Sequence, residues 1–368
     1  MTRPLIMTGI DLPMEPSCGS TIWCSDVYER LADEFRVLFL GLPGSGTWKH
    51  NFPETALLAA DKQPYGPGFE AYATQLTDEV GDLIRAHRPD LLHAQHLGFG
   101  LALAFARAAG PIPVVSVAHG TDVIAARESE QALEVFTEVV AASSKVVVPN
   151  PALGFEVDRL TDHVYTDRLT TVPWGVPLPP APTAVPRPWA CLNLLHAGRL
   201  DANKSTITVI QALALTRTRH HLTVIGSGSE LPLLKERTHS LGLDERVTFM
   251  PFMPREDLWS MFPGFDAFVF TTRQLEAFGL VAVEAQAHGL PVLYGDLPGL
   301  VDTLLDGGLV YKPGDAPALA RLIDRVGADL PLRQSLHSAA AANARRHNIA
   351  NTAAQLTRLS RTAIKGLR

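Results

Sequence analysis

The chain has 368 residues, 46% hydrophobic and 19% charged, with a formal net charge of −6. These are the proportions of a globular protein with room for two cores, and they exclude a disordered or fibrous chain. Its cysteines, Cys18, Cys24 and Cys191, include no Cys-x-x-Cys pair, which argues against a disulfide framework or a thiolate zinc site and fits a reducing compartment.

Met1 to Pro13 has neither the length nor the flanks of a signal peptide, and no apolar run approaches the ~18 residues of a membrane span. The expectation is a cytoplasmic protein with no stable membrane insertion. Residues 1–180 carry 12 Lys+Arg against 22 Asp+Glu, a net −10, and residues 181–368 carry 20 against 16, a net +4. An acidic half and a basic half suggest two domains with different ligands, and the basic excess is too small and dispersed to bind nucleic acid.

The first half alternates apolar strands with helical patterns. Strands are expected at Pro4 to Ile10, Arg36 to Leu40, Pro89 to Ala94, Pro113 to Ala118, Lys145 to Pro149 and Leu169 to Pro173. Helices are expected at Ser20 to Phe35, Phe69 to His87, Gly100 to Ala109 and from about Ser129 to Ala142. The stretch Pro177 to Pro188 holds six prolines in twelve positions, so it reads as an extended interdomain linker. The alternation then restarts at Leu192 to His196 and runs to strand Ala267 to Phe270. That strand leads into Glu276-Ala277-Phe278-Gly279-Leu280-Val281-Ala282-Val283-Glu284, read as a loop entering a helix. Strands spaced by helices of this length predict a parallel doubly wound sheet in each half, with a cleft between the carboxyl ends of the two sheets. The expected domains are 1–180, 181–348 and a helix over 349–368 crossing back to the first.

Several motifs invite a chemical reading. Gly41 to Thr47 has a phosphate-loop look, but Thr47 stands where lysine is needed. Gly226-Ser227-Gly228 follows a strand and lacks the third glycine of a dinucleotide fingerprint. His93 and His96 have no carboxylate to complete a metal set, and no Asp-x-Asp clamp occurs, so no metal site is expected. His119 follows a buried strand at the sheet's carboxyl end, where such folds collect ligands. Gly198-Arg199-Leu200-Asp201-Ala202-Asn203-Lys204 places two cations at a strand–helix junction, suited to a diphosphate. Glu276 and Glu284 flank a helix start whose free N–H groups suit a ligand bearing hydroxyls and phosphate.

Four stretches stand in one order: Val114 to Asp122, Val172-Pro173-Trp174-Gly175-Val176, His196 to Lys204, and Glu276-x7-Glu284 continuing through Ala285 to Val292. In this order the chain resembles, nearly end to end, the retaining GT-B glycosyltransferases of family GT4, the glycosyl transferases group 1. The resemblance implies an α/β GT-B architecture of two Rossmann-like domains facing across a cleft. The first domain would bind acceptor and the second a nucleotide sugar. No cofactor is implied, and UDP-sugar is favoured over GDP-sugar as co-substrate. Arg199 and Lys204 would hold the diphosphate, Glu276 the sugar hydroxyls with the N–H groups of Phe278, Gly279 and Leu280, and Glu284 the ribose. His119 would lie by the transferred sugar. Gly19 and Gly198 would let backbone approach the donor, and His96 and Asp122 would line the acceptor. The implied reaction is metal-independent and retaining, by front-face attack.

Three departures from the family pattern stand out: one glycine, Gly19, in the first loop; Ser205 where glycine usually follows the lysine; and Gly299 where a glutamate is usual. The acidic first half suggests a soluble small-molecule acceptor, amine-bearing and of secondary metabolism. Alternatives are a sugar phosphorylase, a nucleotide-sugar epimerase, or a non-catalytic nucleotide-sugar binding module.

Overall fold

A computed structural model describes residues 3–16, 18–44, 48 and 50–366. Ser45, Gly46 and Thr47 of the glycine-rich loop, and Ser17 of the first loop, lie outside the described residues. The chain divides into two compact units, Met1–Trp174 with Ile349–Arg368, and Gly175–Asn348.

The first unit is built on β1 (Leu5–Pro13), β2 (Arg36–Leu42), β3 (Glu54–Leu57), β4 (Leu91–Gln95), β5 (Val114–Val117), β6 (Lys145–Val148) and β7 (Leu169–Thr171). They form one sheet in the order β3-β2-β1-β4-β5-β6-β7, with every pairing parallel. The central strands are apolar runs because helices cover both sheet faces, which leaves no face for polar residues. Polar residues buried among them include Thr8 and His93, paired in register across β1 and β4, with Gln95 and Ser116. The last helix, Ile349–Lys365, buries Ile349, Thr352, Ala353, Leu356 and Ser360 along one stripe and donates from Thr352 Oγ1 to Pro173 O at 2.8 Å.

The second unit holds β8 (Asn193–Ala197), β9 (His221–Ile225), β10 (Val247–Met250), β11 (Ala267–Phe270), β12 (Val292–Gly295) and β13 (Gly308–Tyr311). Their order is β10-β9-β8-β11-β12-β13, again all parallel. Leu194, Leu222, Val224, Val269 and Leu293 of the sheet pack with Val209, Ile210, Leu319 and Ile323 in a fully buried core. Strand order reverses at β1/β4 in the first sheet and at β8/β11 in the second. A crevice opens outside the carboxyl ends of the strands at such a switch point, where ligands collect.

The structure also contains elements the sequence pattern does not announce. Edge strand β3 is mostly exposed, so it has no apolar run. Helices Thr121–Glu128 and Pro151–Leu160 lie where the pattern assigns no element, although Asn150 caps the second by accepting from Leu153 N–H.

Candidate active site

In the second unit, the loops after β8 and β11 form one framework at the switch point. Arg273 N–H donates to Asn203 O at 2.9 Å, Gln274 N–H donates to Asn203 Oδ1 at 3.1 Å, and Thr271 Oγ1 donates to Lys204 O at 2.6 Å. Asp201 Oδ1 accepts from Lys204 N–H at 3.0 Å. These bonds aim the Lys204 side chain at the β11 loop, where its Nζ donates to Glu276 Oε2 at 2.6 Å and lies 5.3 Å from the centre of the Phe270 ring. Lys204 and Glu276 are largely shielded, at 19% and 17% side-chain exposure, whereas Arg199 is 63% exposed, 3.5 Å from Asp201 Oδ2. Arg199 is therefore an exposed cation and Lys204 a shielded one.

Gly226-Ser227-Gly228 supports the β8 loop. Gly198 N–H donates to Ile225 O, Leu200 N–H to Ser227 O and Glu230 N–H to Leu200 O, zipping the β8 and β9 loops together. A Cβ on Gly226 would lie 1.9 Å from Gly198 O, and one on Gly228 would lie 2.3 Å from Leu200 O. Beneath the lysine, His196 donates from Nδ1 to Val269 O at 2.9 Å, so its Nε2 accepts from Thr206 Oγ1 at 2.9 Å. Burial holds that imidazole at about 4.

Glu276 is followed by Ala277 and Phe278, both buried, and then Gly279 at φ 78°, which caps helix Leu280–Ala287. A Cβ at Gly279 would meet Leu300 Cδ2 at 2.9 Å, so helix Pro298–Leu304, which carries Gly299, fixes the approach of this turn. Glu284 lies in the second turn of its helix, buried, with Oε1 2.9 Å from Arg255 Nε. Arg255, which opens helix Arg255–Met261 and sits 4.6 Å from the Trp259 ring, is a partner the sequence reading did not name. Its signal was a lone cation after the proline-bounded run Pro251 to Pro254.

In the first unit, Gly19 is the first residue of helix Gly19–Leu31, preceded by an extended Cys18 that provides no side-chain cap. His119, at the end of β5, is buried among rings: it stacks on His96 at 4.1 Å and meets Trp23 and Trp174 edge-on at 5.6 and 4.8 Å. Burial holds it neutral, at about 3. His96 has φ 62°, its Nδ1 is 3.2 Å from Thr121 Oγ1, and burial drives it well below the usual imidazole range. Asp122 is fully buried and accepts from the backbone N–H groups of Leu97, His119, Gly120 and Val123, a set that organises both loops. Burial raises its carboxyl, and those four bonds pull it back. Gln95, Trp23, Asp11 and Lys62 also gather here, with Lys62 Nζ 3.6 Å from Asp11 Oδ2. A hint of this lay in the polar run His93-Ala94-Gln95-His96 ending a buried strand.

Among the described residues no cluster of three or more His, Cys, Asp or Glu is placed to hold a metal ion, and no helix is long and apolar enough to cross a membrane.

Comparison with known proteins adds to this geometry. Residues 19–178 match the model for Glycosyltransferase Family 4, and residues 192–343 match that for Glycosyl transferases group 1. A glycogen synthase of Mycobacterium tuberculosis is 27% identical over 259 residues, covering 66% of this chain and 61% of the relative. A D-inositol 3-phosphate glycosyltransferase of Stackebrandtia nassauensis is 29% identical over 296 residues, 73% of this chain and 67% of the relative. The chain thus aligns with under two thirds of the synthase's length. Among solved structures, the sucrose-phosphate synthase of Thermosynechococcus elongatus superposes with TM-score 0.83 at 20% identity over 99% of this chain and 100% of that one. Anabaena HepE, solved in complex with UDP, gives TM-score 0.79 at 18% identity over 98% and 100%.

Proposed function

Since this chain belongs to the group 1 glycosyl transferases of family 4 type, with two Rossmann-like units in the GT-B manner, we propose that it moves a sugar from a nucleotide-sugar donor to a small soluble acceptor, with retention at the anomeric carbon. The observation that carries this reading is the Lys204–Glu276 pair, a cation and a carboxylate 2.6 Å apart at the β8/β11 switch point.

Lys204, with Arg199 reaching in from the rim, would hold the donor diphosphate. As the bond from the anomeric carbon to the phosphate oxygen breaks, negative charge grows on the departing nucleotide, and fixed cations stabilise it without reorganising. Glu276, relieved of part of its contact with Lys204, accepts from sugar hydroxyls. The N–H groups of Phe278, Gly279 and Leu280 at the helix start serve the same sugar or the adjoining phosphate. Glu284, held by Arg255, accepts from the ribose. In the first unit His119 takes a substrate hydroxyl, with His96 beside it, while Asp122 acts through the loops it ties. Gly19 lets backbone come close to phosphate or acceptor.

The net −10 of residues 1–180 supports a cationic, amine-bearing acceptor over an anionic membrane surface. The three free cysteines support a cytoplasmic setting. UDP is the first nucleotide to try, being the one with which the structurally similar Anabaena protein was solved.

The test is a thermal-shift screen against UDP, GDP, ADP and dTDP sugars, because a ligand that binds only the folded state raises its apparent stability. Transfer to aminocyclitol acceptors then follows, with the product anomer read by NMR. Stabilisation by one nucleotide class and a product of unchanged anomeric configuration are expected. No shift with any nucleotide would sink the donor assignment, and an inverted product would sink retention.

A further inference from the structure

A buried hydrogen-bond chain runs from His119 to the last helix of the chain. His119 Nε2 is 2.9 Å from Gln95 Oε1, and Gln95 Nε2 is 2.6 Å from Tyr28 Oη and 3.2 Å from Thr8 Oγ1. Tyr28 Oη is 2.8 Å from His93 Nδ1, and His93 Nε2 is 3.1 Å from Ser360 Oγ. Thr8, Tyr28, His93, Gln95 and Ser360 are all at 0% exposure, so water does not enter the chain to change its sense.

The direction of every proton in this chain follows from its two ends. Ser360 has one hydroxyl proton, and it goes to Leu356 O at 2.7 Å. Ser360 Oγ must therefore accept from His93, which puts the proton on His93 Nε2 and leaves Nδ1 as an acceptor for the Tyr28 hydroxyl. With its proton so used, Tyr28 accepts from the Gln95 amide nitrogen. The second end is independent: Thr8 gives its proton to His93 O at 2.9 Å, so Thr8 Oγ1 must also accept from the Gln95 amide nitrogen. Both ends turn the Gln95 carbonyl toward His119.

We propose that Gln95, set by Thr8 on one side and by Tyr28, His93 and Ser360 on the other, is the positioning residue that locks His119 in the Nε2–H tautomer and reserves its Nδ1 as an acceptor for a substrate hydroxyl. His119 Nδ1 is buried and has no hydrogen-bond partner among the described residues, the state of a group kept for a ligand. A bare Nδ1 accepts the proton of a hydroxyl, whereas an N–H there could only donate to the hydroxyl oxygen and would reverse the sense of the contact. The groups facing His119 are His96, Trp23, Trp174 and the backbone loop held by Asp122, none of which offers Nδ1 a competing proton. The substrate half of this inference rests on the transferase reading above, whereas the tautomer half does not.

The experiment uses the full chain labelled with 15N-histidine. In the ligand-free protein at neutral pH, the His119 ring is expected to show a protonated Nε2 and a bare Nδ1 as a single species. Gln95→Met removes the acceptor and should release a detectable Nδ1–H population. Gln95→Glu still accepts from Nε2–H and should restore the single tautomer. A wild-type ring protonated on Nδ1, or a Gln95→Met ring unchanged, overturns the lock. If Gln95→Met does not fold, the wild-type spectrum and the Gln95→Glu variant decide alone. On the kinetic side, Gln95→Met should lower kcat/KM for donor sugar by about tenfold, the worth of one hydrogen bond, with nucleotide affinity within about twofold. A tautomer shift without a kinetic effect overturns the substrate half, and leaves the lock standing.

Discussion

Lys204 Nζ lies 2.6 Å from Glu276 Oε2, although the two residues are 72 positions apart and come from the loops after β8 and β11. Each group therefore serves as the other's counter-ion, and a donor bound as proposed must compete with that contact. Glu276→Gln removes the negative charge and keeps the shape, so the lysine becomes freer to meet a diphosphate. The expected result is nucleoside diphosphate affinity equal to or up to about tenfold higher than wild type, with sugar transfer down about 100-fold or more. Lys204→Ala and Glu276→Ala should each lose transfer altogether. Isothermal titration and turnover assays separate these, and Glu276→Gln weakening nucleotide binding tenfold would show that the pair does not compete with donor.

Ser205 follows Lys204 with φ 48°, in the left-handed region. The family pattern that the sequence resembles has glycine here, and the serine is a departure from it. The structure shows how it is tolerated: Ser205 Oγ is 2.9 Å from Thr208 Oγ1 in the first turn of the next helix. Relief of strain in Ser205→Gly, about 1–2 kcal/mol, is offset by the lost hydrogen bond and by added unfolded-state freedom, each about 1 kcal/mol. Stability should change by less than about 1 kcal/mol. Ser205→Val, branched at Cβ, should cost about 2 kcal/mol or more. Urea unfolding curves decide it, and a valine variant as stable as the glycine one would remove the strain argument.

Gly226 touches no expected ligand, yet a Cβ there would lie 1.9 Å from Gly198 O. Gly226→Ala should therefore push the β8 loop outward and carry Arg199 and Lys204 with it. The expected effect is a stability loss of about 2–4 kcal/mol together with at least tenfold weaker nucleotide binding. Binding measured well below the lowered melting temperature tests this, and unchanged affinity in a folded variant would show that the β9 loop does not support the site.

The fold was legible wherever burial writes a pattern. Apolar runs at Val114–Val117 and Ala267–Phe270 mark strands covered on both faces. What escaped was set by contacts rather than pattern. Edge strand Glu54–Leu57 faces solvent and carries no apolar signature, and helix Thr121–Glu128 is too short for a period to show. The acids and cations proposed to meet the donor stand in the family's order along the chain, but only folding reveals that Lys204 points at Glu276 and Arg199 at solvent. Gly226-Ser227-Gly228, an incomplete glycine fingerprint in the sequence, braces the β8 loop, because close backbone approach demands glycine as phosphate binding does. Arg255 and Gln95 left only a local hint, a cation after a proline-bounded run and an amide in a polar strand end, because their partners are distant in sequence.

Arg255 and Glu284 form a shielded contact, at 11% and 7% side-chain exposure. Taking away one partner deprives the other charge of its nearest counter-ion in a place water barely reaches. Arg255→Met should cost about 3 kcal/mol and weaken nucleotide binding through a displaced Glu284. Glu284→Gln should do less to stability and still weaken nucleosides bearing a ribose. Comparing ribose and 2′-deoxyribose nucleotides gives the check. If Glu284→Gln weakens both equally, the carboxylate does not read the ribose.

Buried histidines predict how stability depends on pH. Burial holds His93 and His119 at about 3 and His196 at about 4, against about 6.5 in an unfolded chain. Each is neutral when folded, so below pH 6.5 the unfolded chain takes up protons that the native protein refuses. The stability they provide is full above about pH 6.5, and it is lost as pH falls toward the folded values. At pH 5.5 each histidine should cost about 1 kcal/mol, and the three together a few kcal/mol. This window lies above the range in which ordinary carboxylates titrate. Asp122, raised by burial, acts in the opposite direction and lessens the loss. Urea unfolding at pH 7.5, 6.5 and 5.5 should give little change over the first step and a clear fall over the second. A flat or rising profile from pH 6.5 to 5.5 that persists in Asp122→Asn would mean that these rings are protonated in the native protein.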